Sequence, residues 1–260
     1  MDSHQQLAGR HALVTGGGRG IGAAIVRALL AQGARVTVLG RSLAALQQTV
    51  AQLQAQGQIQ AVSADVTERA ALEAAWVQAV NAFGAVDILI NNAGQAVSAP
   101  FGKTDAALWQ QMIAVNLNGT FHCTQLALPA MLQAGWGRIV NVASTAGLAG
   151  YGYVTAYCAA KHGVVGLTRA LALEVASKGV TVNAVCPGYT ETDIVHDAIA
   201  NIVSKTGRSA EQARAELAAR NPQKRLVQPD EVADAVVWLC LPGSSAMNGQ
   251  ALAVAGGEVM

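Results

Sequence analysis

A chain of 260 residues is long enough for one large core, and 52% hydrophobic against 13% charged residues suits a sheet covered on both faces. The formal net charge of +1 gives no electrostatic reason to expect nucleic acid or an acidic membrane surface as partner. The four cysteines, Cys123, Cys158, Cys186 and Cys240, form no CxxC pair and no metal-like cluster, which predicts free thiols in a reducing cytoplasm and no bound metal.

The start, Met1 to Gln6, has neither a basic region nor an apolar core, so no targeting segment is expected. No apolar run approaches the ~20 residues that span a bilayer. Strands are expected near 11–15, 35–39, 58–62, 86–90, 137–143, 180–186 and 250–254. Helices are expected near 21–32, 42–56, 67–83, 105–134, 155–178, 193–219 and 229–241. Such alternation implies βαβ units with right-handed crossovers. The expected fold is α/β, a single domain over 1–260 with a Rossmann-like doubly wound parallel sheet of about seven strands and helices on both faces.

The first strand runs into Gly16-Gly-Gly-Arg-Gly20-Ile-Gly22 and then a helix, the arrangement of a dinucleotide's phosphate-binding corner. Glycines let backbone approach a pyrophosphate closely, and a helix start offers free N–H groups to the anion. Gly16, Arg19, Gly20, Ile21 and Gly22 are therefore cofactor-binding candidates. The loop lacks the Lys-Ser/Thr of a nucleotide-triphosphate site, which argues against an ATPase or GTPase.

After the second strand an NAD site usually carries a carboxylate for the adenosine ribose. Here Gly40 and Arg41 stand there, and no Asp or Glu occurs between Asp2 and Asp65. Arg41, with Arg19, suits a 2′-phosphate, so NADP(H) is the preferred cofactor, with NAD(H) the alternative. Later strand ends lead into Asp65-Val66, Asn91-Asn92-Ala-Gly94, Ser144 and Pro187-Gly188. Ligands of such sheets bind at the carboxyl ends of the strands, so these stretches converge on one crevice.

Tyr157 and Lys161 are one helical turn apart and share a face. A fixed ammonium near a phenol favours the phenolate, so Lys161 is expected to lower the Tyr157 pKa. A tuned phenol gives a proton to a carbonyl oxygen or takes one from an alcohol. Ser144, thirteen residues upstream, is placed to hold the same oxygen.

Together these motifs resemble the short-chain dehydrogenase/reductase family over nearly the whole chain. Thr15 to Gly22 looks like its cofactor loop, Asn91 to Gly94 like its Asn-Asn-Ala-Gly motif, and Pro187 to Thr192 like its loop near the nicotinamide. The resemblance implies a catalytic set of Asn116, Ser144, Tyr157 and Lys161, with Asn116 holding a water that links Lys161 to solvent. It implies cofactor contacts from Asp65, Val66, Asn92, Gly94, Tyr157, Lys161, Pro187, Gly188 and Thr192. It also implies hydride transfer on a small-molecule ketone or secondary alcohol, and a homotetramer built on the long helices. The tail departs from the pattern, with Ala255 where relatives often carry aspartate before Gly256-Gly257.

Substrate choice rests on two segments. Ala146 to Val154 has no charged group, and Ser144, Tyr151 and Tyr157 are substrate-binding candidates, with Tyr153 a further lining candidate. The stretch 193–228 reads as a helical lid, with helices over 193–204 and 209–220. A buried carboxylate without a partner is costly, so a neutral 3-oxoacyl/3-hydroxyacyl thioester is favoured over a free acid. Arg220, Lys224 and Arg225 are then either contacts for a CoA or carrier-protein arm or a solvated basic turn. The alternatives are an NAD(H)-dependent dehydrogenase of cyclic or aromatic alcohols, and a non-catalytic cofactor-sensing protein.

Overall fold

The computed structural model describes residues 5–260. Residues 1–4, part of the start read as free of a targeting signal, lie outside the described residues. Seven strands, β1 (His11–Thr15), β2 (Arg35–Gly40), β3 (Ile59–Ser63), β4 (Ile88–Asn91), β5 (Gly137–Val142), β6 (Val180–Pro187) and β7 (Ala251–Val254), form one sheet. Their order is β3-β2-β1-β4-β5-β6-β7, and every pairing is parallel. The helices are α1 (Gly20–Ala31), α2 (Leu43–Leu53), α3 (Arg69–Phe83), α4 (Ala106–Ile113), α5 (Gly119–Ala134), α6 (Thr155–Val175), α7 (Asp193–Thr206), α8 (Ala210–Ala219) and α9 (Pro229–Cys240). Among the described residues no helix is long and apolar enough to cross a membrane.

Strand periodicity divides the core. Ala12 and Val14 of β1 face the layer holding Ile25, Leu29 and Val236, whereas Leu13 faces the layer holding Leu72, Met131 and Ile139. Both faces of each inner strand are covered, which is why these strands read as continuous apolar runs. The order steps outward from β1 to β3, returns to β4 beside β1, and continues to β7. The reversal opens a crevice above the carboxyl ends of β1 and β4.

One expected helix differs from the reading above. The stretch 105–134 is interrupted by a π-helical turn over Ala114–Asn118 between α4 and α5. The lid over 193–219 is two helices, as its two expected segments imply, separated where Gly207 adopts a φ of 70° and ends α7. Ser209 caps α8 by accepting from Gln212 N, and the Gln212 side chain accepts from Ser209 N in return. Val195 and Ile199 of α7 pack on Ala213 and Leu217 of α8, so the lid has an apolar core of its own.

At the opposite end of the sheet, His11 is fully buried, its ring nitrogens 2.8 Å from Gly84 O and 2.8 Å from Thr37 Oγ1. Burial lowers its pKa, against the opposing pull of the Gly84 carbonyl. A depressed folded pKa means that the unfolded chain binds the proton first, so stability declines as pH falls below ~6.5. The melting temperature is therefore expected to drop between pH 7.5 and 5.5, with a shallower acid-side slope in His11→Gln. Equal slopes in thermal melts of the two proteins would remove His11 as the cause.

Candidate active site

The phosphate-binding corner is organised by Thr15 at the end of β1. Its hydroxyl accepts from the amides of Asn92 and Ala93, each at 3.0 Å, which ties the glycine loop to the turn after β4. Asn92 Nδ2 donates back to Thr15 O at 3.0 Å and Gly16 O at 3.1 Å. Gly16 has a φ of 66° and Gly20 one of 52°. At Gly22 a Cβ would lie 2.1 Å from Gly16 O, so only glycine fits where the helix meets the loop. No side chain caps the start of α1, which leaves its first amides directed into the crevice. Gly94 is similarly restricted, because a Cβ there would lie 2.9 Å from Asn116 Oδ1 and 3.6 Å from Lys161 Nζ. This glycine-lined cradle with uncovered amides fits a dinucleotide.

Past Gly40, Arg41 is exposed at the end of β2, and its carbonyl accepts from Ser63 Oγ at 3.1 Å. Arg19 reaches the other way and pairs with Asp193 of the lid at 3.0 Å. Both side chains are exposed, so this pair is worth at most about 1 kcal/mol and yields readily to a stronger anion. Asp65 folds onto its own turn, accepting from Thr67 N at 2.9 Å and Thr67 Oγ1 at 2.8 Å. Val66 is buried against α5, where a Cβ on Gly119 would lie 2.6 Å from it.

The catalytic candidates meet above β5 and β6. Ser144 follows β5, and its Oγ accepts from Ala146 N at 3.1 Å. Tyr157 and Lys161 lie on the first turns of α6, with Lys161 Nζ 5.7 Å from the centroid of the Tyr157 ring. The expected electrostatics are not those of the structure. Lys161 is buried and donates to Val142 O at 2.8 Å, and burial pulls its pKa down to about 8. Burial pushes the Tyr157 phenol up to about 12, and only the Ser144 side chain counters it. An ammonium held on a backbone carbonyl and itself destabilised by desolvation does little to favour a phenolate, which corrects the sequence expectation. Tyr157 is thus a protonated phenol at neutral pH, suited to donate.

Asn116 sits in the π-helical turn, fully buried. Its Nδ2 donates to Gln95 O and Met112 O, both at 3.0 Å, and its Oδ1 accepts from Gln95 N at 3.2 Å. It ties the irregular segment after Gly94, through Gln95, to the π-helical turn. Among the described residues no cluster of His, Cys, Asp or Glu suits a metal ion. The four cysteines are free thiols.

The family model described as short chain dehydrogenase matches residues 10–203. The chain belongs to the short-chain dehydrogenase family. Its relatives include a putative ketoacyl reductase of Streptomyces coelicolor, 42% identical over 249 residues and 95% of each chain. Another is the D-beta-hydroxybutyrate dehydrogenase of Cupriavidus necator, 41% identical over 97% of this chain and 99% of the relative. A crystal structure of a variant of actinorhodin polyketide ketoreductase with NADPH superposes with a TM-score of 0.92, at 40% identity and 98% coverage of both chains. As a member of this family the chain is an oxidoreductase acting on CH–OH groups, interconverting ketone and secondary alcohol.

In this short-chain dehydrogenase the lid meets the glycine loop directly. A Cβ on Gly20 would lie 3.2 Å from Thr192 Cγ2, beside the Arg19–Asp193 pair. Pro187 ends β6, and Gly188 N donates to Val254 O at 3.1 Å. Tyr151 packs beside the segment that follows β6. Its hydroxyl donates to Glu258 Oε1 at 2.7 Å, and its ring meets Tyr189 edge to face at 6.4 Å. Tyr153 is 69% exposed with a φ of 66°. Of the three basic candidates, Arg220 is exposed and stacks its guanidinium 4.9 Å from the Tyr151 ring centroid. Arg225 forks onto Glu231 at 2.6 and 2.7 Å, and Lys224 Nζ donates to Ala219 O at 3.0 Å.

Sequence reasoning placed Thr15 in the cofactor loop but not as the tie to the turn after β4, and it did not single out Tyr189 or Glu258. Tyr189 was signalled by its place directly after Gly188. Nothing in the sequence pointed to Glu258.

Proposed function

We propose that this chain is an NADP(H)-dependent reductase of neutral 3-oxoacyl compounds, thioesters foremost, able to run the reverse oxidation. The observation that carries the reading is the protonated Tyr157 phenol held beside Ser144 in a crevice whose basic lid residue stands at its outer edge. NADPH, when bound, supplies the hydride. Ser144 polarises the substrate oxygen by donating to it as negative charge develops. Tyr157 gives its proton to that same oxygen, and Lys161 holds the ribose side and restores the proton. Gly16, Arg19, Gly20, Ile21, Gly22, Asn92 and Gly94 form the pyrophosphate and ribose cradle. Asp65 and Val66 border the adenine, and Pro187, Gly188 and Thr192 border the nicotinamide. Exposed Phe121 on α5 and Leu173 on α6, at 44% and 82%, support a homotetramer.

Arg41 at the end of β2, without a carboxylate nearby, supports NADP(H). Arg41→Ala is expected to lower kcat/KM for NADPH by about 10- to 100-fold, the loss of one charge-assisted hydrogen bond, with NADH affected less than about threefold. Steady-state rates at the reduced-nicotinamide band check this, and parallel losses with both cofactors would refute it. The reading as a whole is tested by crossing NADPH and NADH with acetoacetyl-CoA, acetoacetate and a cyclohexanone. Fast turnover of acetoacetyl-CoA with NADPH is expected. Turnover of the cyclic ketone alone would move the function to a secondary-alcohol dehydrogenase.

A further inference from the structure

The chain beyond β7 turns back into the site. Gly256 and Gly257 have φ values of 61° and 94°, and a Cβ on Gly256 would lie 2.1 Å from Asn221 Oδ1. The tail is thereby clamped on the turn after α8, a turn that Asn221 itself braces by donating to Arg225 O at 2.9 Å and accepting from Gln223 N at 2.8 Å. This clamp brings Glu258 beside Tyr151 and Gly188. One carboxylate oxygen accepts from the Tyr151 hydroxyl, and the other lies 2.8 Å from where a Gly188 side chain would begin. Glu258 is half-buried and forms no ion pair among the described residues. Arg220 lies on the exposed side of the same Tyr151 ring. One phenol therefore has a cation toward solvent and an unpaired carboxylate on the side of the Pro187–Gly188 wall.

We propose that Glu258 is a specificity-determining residue that excludes ketones bearing a free carboxylate near the reacting carbon and admits neutral ones. This rests on the oxidoreductase reading of the site and deepens its substrate class. A 3-oxo acid carries its charge two bonds from the ketone, so its carboxylate enters the half-buried zone beside Glu258, where solvent weakens the repulsion only in part and added salt weakens it further. A thioester is neutral at that position, and anionic groups farther along its arm fall at the outer edge, near Arg220. Like charge against the wrong ligand is a recurrent means of selection.

The test compares substrates that differ only in that charge, acetoacetate against ethyl acetoacetate and 2-oxocyclohexanecarboxylate against its ethyl ester. The readout is the acid-to-ester ratio of kcat/KM. In Glu258→Gln the ratio is expected to rise about tenfold in whichever pair is turned over, as fits removal of one like-charge encounter. In Glu258→Asp, which keeps the charge, it is expected to return toward wild type. In the wild-type enzyme the ratio is expected to rise as salt increases from 20 to 500 mM, a fall in screening length from about 20 Å to about 4 Å. An unchanged ratio in Glu258→Gln overturns the proposal. Should that variant not fold, a ratio in the wild-type enzyme that is flat with salt overturns it. A wrong carbon skeleton or cofactor shows instead in which pair, and with which nicotinamide, turnover occurs at all, so the two failures are separable.

Discussion

Tyr157→Phe is expected to lower kcat by about 10³-fold, within the range for removing a positioned general acid. The phenyl ring keeps the packing of α6, so NADPH affinity should stay within about fivefold, about 1 kcal/mol. The reason lies in the phenol's surroundings. Burial pushes Tyr157 up to about 12, so at neutral pH the hydroxyl holds its proton and reduction proceeds from the resting form. Oxidation of the alcohol needs the same group without its proton. The oxidation rate of the wild-type enzyme should therefore climb as pH rises from 7 to 10, while reduction stays level over the lower part of that range. Stopped-flow single turnovers separate the chemical step from release. Retention of more than about a tenth of wild-type single-turnover rate in Tyr157→Phe would mean that another group or water donates the proton.

Gly22→Ala should be nearly as damaging, through backbone geometry. The added methyl would sit 2.1 Å from Gly16 O and 2.6 Å from Asn92 Nδ2. Neither neighbour can yield cheaply. One is the loop backbone, and the other is an amide already bonded to Thr15 O and Gly16 O. Overpacking of this kind costs about 3 kcal/mol, which for a chain of this size lowers the melting temperature by roughly 6–12 °C. Loss of the cradle should weaken NADPH by at least about 100-fold, since several backbone donors are displaced together. Calorimetric melting and cofactor titration would check both numbers. A variant that melts within about 2 °C of wild type and binds NADPH normally would refute the close-approach argument.

Much of this was legible because the features are local. A strand, a glycine run and a helix are adjacent in the chain, and Tyr157 and Lys161 lie one turn apart, so spacing alone placed them. The strand positions followed from apolar runs that a sheet covered on both faces requires. What was not legible depended on distant partners. Burial is the main influence on the Tyr157 pKa, raising it, and composition does not report burial, so a rule based on one nearby lysine left out the larger effect. The place of Glu258 depends on a clamp between Gly256 and Asn221, and Tyr151 lies more than a hundred residues from its carboxylate partner. The split lid was legible through Ser209 and Glu211 at the start of its second helix, whereas the break inside 105–134 keeps helical backbone on both sides, so Gly119 directly after it did not mark a stop.

The π-helical turn at Ala114–Asn118 has a further meaning. One residue more than a regular turn winds the chain past a full period, so α4 and α5 run on different angular phases although they look like one rod. Deleting a single residue there would restore an unbroken helix and leave both ends soluble in principle, yet it would swing everything downstream by about 100° relative to α4. Asn116 would no longer point at Gln95, and the Thr120–Thr124 row would leave the sheet. The irregularity acts as a phase shifter between two helices that serve different neighbours, and straightening it in the name of regularity would mistune both.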